Sequence, residues 1–124
     1  MAEPNKYSID LNIKLGFLKL IDIPCLVAKV TDDWSNQTLC KVNDCVVRLG
    51  VFRKGEFHWH KHDKEDEFFF VLEGRFVIEL EAETVTLERH QGFTIPKGIM
   101  HKTSALEPTS ILMMEAATVK PTGD

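Results

Sequence analysis

The chain has 124 residues, 44% of them hydrophobic, and a formal net charge of -4. That length and apolar content fit one domain over residues 1–124 and exclude a disordered chain. No basic run exists to follow a phosphate backbone, so nucleic acid is not an expected partner. No apolar run approaches the ~20 residues of a membrane helix, so no membrane is expected either.

The N-terminal MAEPNKYSID carries charges of both signs and lacks the apolar core of a secretory signal. Ile9, Leu11, Ile13, Leu15 and Phe17 alternate with polar or small residues, a strand period. Pro24 suits a first helical turn, so CLVAKVTDDW is expected as a short helix. From Thr38 the pattern is all β. LCKV and CVVRLGVF read as two strands about Asn43-Asp44, and Lys54-Gly55 is the next turn. EFHWHKH reads as a strand with histidine at every second position, followed by the charged loop DKED. EFFFVLEG, RFVIELEA and TVTLER are further strands. A turn at Gln91-Gly92 precedes FTIPKG, HKTSA and TSILMMEAATV. Pro96 marks an edge or a loop.

Short strands at this spacing indicate a sandwich or barrel, with a core over about residues 38–117. FFFVL and SILMMEAA are apolar on both faces, so the outer side needs cover from the N-terminal strand or a second subunit. A homodimer is the favoured expectation. The odd cysteine set, Cys25, Cys40 and Cys45, has no CxxC pair, which points to free thiols and a cytoplasmic location.

Three of the five histidines lie in FHWHKH. Strand alternation puts His58, His60 and His62 on one face. With Glu67 and His101 they form a convergent set of imidazole and carboxylate donors, suited to one divalent ion such as Mn, Fe, Zn or Ni. The competing reading is a solvated edge strand. His90 sits in a turn, and Trp34 and Trp59 read as packing residues. Phe69 and Val71 share the face of Glu67. Arg48 is a candidate anion contact.

The pattern H-x-H-x-x-x-x-E-x-x-x-x-x-x-G from His60 to Gly74 resembles the first motif of the cupin superfamily. Gly92 and P-x-G-x-x-H from Pro96 to His101 resemble the second. Gly55 and Gly92 each stand closer to their motifs than is usual in cupins, and Ala105 stands where cupins often have Asn. The tail EAATVKPTGD is similar to short cupins of the mannose-6-phosphate-isomerase-like group. The resemblance implies an all-β double-stranded β-helix, a jelly-roll barrel, with a short N-terminal helix. It implies His60, His62, Glu67 and His101 as metal ligands. The alternative pair His58-x-His60 lies too far from Glu67. His58 then becomes an inward-facing base or substrate contact, weighed against a plain buried histidine. The expected function is a metal-dependent isomerase, epimerase or dioxygenase acting on a small polar molecule. The alternative is a non-catalytic binder of a small carboxylate or sugar.

Overall fold

A computed structural model describes residues 7–124. Ten strands and one helix run in the order β1 Ser8–Asp10, α1 Ile23–Ala28, β2 Trp34–Val42, β3 Cys45–Phe52, β4 Gly55–Glu56, β5 Glu67–Glu73, β6 Phe76–Leu80, β7 Thr84–Leu87, β8 Gly92–Ile95, β9 His101–Ala105 and β10 Thr109–Ala116. They form a six-stranded sheet, β1-β2-β3-β10-β5-β8, and a four-stranded sheet, β4-β9-β6-β7. Only the β1–β2 pair is parallel among the described residues. The two sheets face each other as the jelly-roll barrel expected from the sequence.

Alternation along each strand decides what fills the barrel. Phe69, Val71, Ile111, Met113 and Phe52 point inward from the large sheet and meet Phe76 and Ile78 from the small one. Their neighbours Leu49, Val51, Leu72 and Leu112 point outward. They pack beneath Leu26 and Val30, with Ile23 and Val27, so α1 and the residues around it supply the cover for the apolar outer face. No second subunit is needed at that place.

Three expected elements differ. The N-terminal strand stops at Asp10, because Asp10 Oδ1 accepts from Asn12 N–H at 2.9 Å in an Asx turn that bends the chain away. Leu11, Ile13 and Phe17 are exposed beyond it. The helix is short: Asp22 caps it, accepting from Cys25 N–H at 3.2 Å, and it ends at Ala28, so that Trp34 opens β2 instead.

The third difference lies in EFHWHKH, where only Gly55–Glu56 forms a regular strand. Glu56 pairs with Ser104, and Phe57 N–H reaches Thr103 O. The next bridge joins His60 to His101. The segment has therefore gained one residue relative to β9, a bulge at His58-Trp59. Phe57 and His60 both turn inward, while His58 and Trp59 are exposed. The expected common face of His58, His60 and His62 is corrected accordingly: His60 and His62 are buried and His58 is not.

Two glycines in left-handed backbone separate conformational strain from crowding. A Cβ on Gly74 (φ +87°) would lie 2.3 Å from Pro108 O and 2.5 Å from Thr109 Oγ1, whereas Gly98 (φ +81°) has open space. Gly98→Ala is expected to cost about 1–2 kcal/mol from backbone strain alone. Gly74→Ala adds overpacking and should cost about 3 kcal/mol or more. Urea denaturation checks this; equal losses would show that the Gly74 turn yields freely.

Candidate metal centre

Three chain segments deliver the donors. The bulged segment carries His60 and His62, the start of β5 carries Glu67, and the start of β9 carries His101. Their ligand atoms all lie within 4.8 Å of one another, and all four residues are buried. Two donors bound at about 2.1 Å to a common ion sit at most about 4.2 Å apart, so small side-chain rotations close the set around one ion.

The hydrogen bonds fix which nitrogen of two rings is free. A backbone carbonyl can only accept, so His60 Nδ1–H donates to His58 O at 2.9 Å, and His101 Nδ1–H donates to Ile99 O at 2.9 Å. Each ring thereby turns its Nε2 toward the centre, the arrangement that orients ligating histidines. His101 Nε2 lies 3.4 Å from Glu67 Oε1, and His62 Nε2 lies 3.5 Å from the same oxygen. Both nitrogens of His62, Nε2 of His101 and Oε1 of Glu67 are buried without a hydrogen-bond partner. Buried polar atoms left unpaired at one point are expensive, and a divalent cation would satisfy one nitrogen of each ring together with the Glu67 oxygen. The residues present therefore fit a metal ion.

The electrostatics agree. Burial lowers the pKa of His60 to about 4, so its ring is neutral and ready to ligate at neutral pH. Burial lowers that of His62 as well, but the Glu67 carboxylate outweighs it and the net shift is upward. Burial raises that of Glu67, yet the neighbouring side chains of Glu115, His101 and His62 prevail and hold its carboxyl well below the usual range.

Glu115 is the residue that sequence reasoning missed. It stands directly opposite Glu67 in the β10–β5 register. Two carboxylates facing each other repel unless one carries a proton. Burial and the neighbouring Glu67 carboxylate push the Glu115 carboxyl far up, so Glu115 is the partner that holds the proton. Arg48 completes the group, with Nε 3.1 Å from Glu115 Oε1 and both side chains buried. The suggested anion contact of Arg48 with a ligand is thus replaced by an internal pair, and Arg48 does not line the cleft. The signal was present in the sequence as a lone Arg in CVVRLGVF and a lone Glu in SILMMEAA, each at inward parity within an apolar strand.

A narrow cleft leads to the donors. Its walls are mostly apolar, with Trp34, Phe52, Phe57 and Phe69 beside His60 and Glu67, and its polar positions include Asn36 and Thr103. Phe69 thus lines the site as its parity suggested, whereas Val71 is core. His58 lies outside this lining; its Nε2–H donates to Thr122 O at 2.8 Å. His90 is exposed in left-handed backbone at its turn (φ +68°), Trp34 is buried, and Trp59 is exposed.

The chain belongs to the cupin family: the Cupin_2 domain model matches residues 48–115. It is 37% identical over 98 residues to YdbB of Bacillus subtilis (strain 168), covering 78% of this chain and 86% of that protein. A cupin-2 domain containing protein from Shewanella frigidimarina superposes with a TM-score of 0.73 at 32% identity, over 78% of this chain and 94% of that one. KdgF from Halomonas sp. shares the fold, with a TM-score of 0.65 at 24% identity, over 74% of this chain and 86% of that one.

Two outcomes follow from these charges. A raised pKa means that His62 keeps its proton to a higher pH than a free imidazole, and a metal must displace it there. Metal affinity should therefore fall as pH drops through that raised value, with protons released on binding. Calorimetry in buffers of different ionisation enthalpy reads this directly; binding without proton release would contradict it. For Glu115, a native carboxyl pKa above the ordinary 4.5 means that the folded chain retains a proton the unfolded chain has lost. Stability at this residue then declines as pH rises above 4.5. Glu115→Gln mimics the protonated form, so it should cost less than about 1 kcal/mol at pH 7 and gain on the wild type as pH rises. A loss of about 3–5 kcal/mol would mark an ionised Glu115 paired with Arg48.

Proposed function

We propose that this cupin is a metal-dependent enzyme that holds one divalent ion through His60, His62, Glu67 and His101 and acts on a small molecule entering by the aromatic cleft. The observation that carries the reading is the coincidence of four buried donors, their unpaired ligand atoms and an access path at one point. Three nitrogens and one oxygen suit Mn, Fe, Zn or Ni, and an octahedral ion so held keeps open positions for a ligand. Bound there, the ion supplies Lewis-acid polarisation of a substrate oxygen.

The chain's own residues set the rest. The apolar walls limit the water that reaches the donors. Asn36 and Thr103 offer it hydrogen bonds. No Lys or Arg is among the described residues lining the cleft, which speaks against a phosphate-bearing substrate. The titratable side chains of that lining are His60 and Glu67, both needed as ligands. Isomerisation or epimerisation needs a free base, and His58 does not face the cleft. This favours the dioxygenase type, in which both atoms of O2 pass to the substrate and no separate reductant is consumed. The expected place in the mannose-6-phosphate-isomerase-like group rests on the likeness of the tail EAATVKPTGD alone. The second reading, a binder that uses the ion to hold a small carboxylate or sugar, predicts ligand uptake without O2 consumption.

A cytoplasmic location is supported by the free thiols Cys25, Cys40 and Cys45. A homodimer is supported by the exposed apolar side chains Leu11, Phe17, Leu18 and Leu20. Among the described residues no helix is long and apolar enough to cross a membrane.

Replacement of His60 or His101 by Ala is expected to abolish stoichiometric metal in the purified protein while circular dichroism still shows the barrel. Full occupancy in both variants, by elemental analysis of protein without an affinity tag, would overturn the ligand assignment. Light scattering at micromolar concentration should return twice the chain mass; a mass equal to one chain would remove the dimer.

A further inference from the structure

The segment that carries His60 and His62 is the least regular part of the barrel wall. Beyond Glu56 its pairing to β9 is broken by the bulge and resumes as one isolated bridge at His60. A strand in that place would be fixed by a continuous ladder. Here the backbone bonds are few, His60 with His101 and Gly98 N–H to His62 O, and a further segment adds to them.

Residues 117–124 run across residues 58–65 and touch them at successive points. Thr118 Oγ1–H donates to Glu65 Oε2 at 2.7 Å. His58 Nε2–H donates to Thr122 O at 2.8 Å. Asp124 N–H donates to Lys61 O at 2.9 Å, and Asp124 Oδ2 accepts from Asp63 N–H at 2.7 Å. These contacts bracket both ligating histidines. Val119, only 4% exposed, anchors the segment, and Pro121 forms part of the cleft wall. Gly123 rests directly on His60: a Cβ there would lie 2.6 Å from His60 Cβ and 3.1 Å from Lys61 O, in left-handed backbone at φ +93°.

We propose that residues 117–124 form a positioning strap for the metal centre, which holds the His60–His62 segment in ligating geometry and is latched by His58 through Thr122 O. The strap rests on the metal reading above. In it His58 is a positioning residue: its ring spans the gap to the strap, and its backbone carbonyl accepts from His60 Nδ1–H. One residue thus ties the strap to the ring orientation of a ligand. Gly123 is required because only a residue without a side chain lets the strap approach His60 so closely. Groups that orient ligands in this way typically change metal affinity by about 10–100-fold when lost.

The test compares full-length variants loaded with Co(II), followed by the visible absorption of the ion and by its release to excess chelator. His58→Ala should speed release about tenfold and shift the absorption band, because the side-chain latch that keeps the strap on the His60–His62 segment is lost while the backbone carbonyl at 58 remains. His58→Gln restores a side-chain N–H at the same reach and should bring release back to within about threefold of wild type. Gly123→Val should act like His58→Ala or more strongly. Thermal unfolding of the metal-free proteins should change little between His58→Ala and His58→Gln, a difference that separates positioning from general destabilisation. If Gly123→Val does not fold, the two His58 variants decide alone. His60→Ala is the reference: should it lose the ion while His58→Ala and Gly123→Val keep wild-type spectra and release rates, the strap is refuted and the metal reading stands. Should His60→Ala retain the ion with an unaltered spectrum, the metal reading itself falls and the strap with it.

Discussion

Glu67 is a carboxylate shut inside an apolar barrel, and the rest of the site is organised around making that charge tolerable. Removing an ionised carboxylate from water costs many kcal/mol unless partners replace the lost hydration. The partners here come from every side. Two imidazole nitrogens, from His62 and His101, stand 3.5 Å and 3.4 Å from its Oε1. Glu115 stands across the sheet with its carboxyl held protonated, and Arg48 backs that pair. The protein still leaves ligand atoms unpaired at the same point. A divalent cation satisfies the remainder, and the fold-level cost of the buried charges becomes intelligible as the cost of a binding site.

Strand register converts this chemistry into geometry. Glu67 on β5 and Glu115 on β10 are direct cross-strand partners, and Arg48 on β3 pairs with Met113, two residues before Glu115. Charged groups therefore gather at one end of the same inward face that holds Met113, Phe69 and Ile111 further along. The ligand end is polar and the opposite end is greasy. The aromatic side chains between them shape the cleft and limit the water that reaches the donors, which strengthens every electrostatic interaction there.

Much of this was legible in the sequence, and for definable reasons. Strand alternation named the faces of β5 and β6, because the β6 ladder is continuous and the register shift in the β10–β5 ladder falls only beyond Val71. The resemblance of the His60–Gly74 and Gly92–His101 stretches to the cupin motifs named the four donors. His58 went astray because periodicity assumes an unbroken strand, and the one-residue bulge at His58-Trp59 reverses parity there. The N-terminal alternation failed for a related reason: Leu11 to Phe17 keep a strand period without a strand partner after the Asx turn at Asp10. Arg48 and Glu115 were visible as solitary charges in apolar runs, but their pairing depends on the β3–β10–β5 register, which no local pattern encodes. The contact of Gly123 with His60 spans most of the second half of the chain and left no trace in either segment's composition.

The convergence of three imidazoles and one carboxylate on a single ion is the point from which the functional reading hangs. X-ray absorption at the metal edge of the purified protein examines it most directly. The account predicts one ion per chain, a shell of nitrogen and oxygen neighbours near 2.1 Å, and the outer-shell scattering of about three imidazole rings. A shell of water oxygens without imidazole scattering, or sulfur neighbours from Cys25, Cys40 or Cys45, would contradict it.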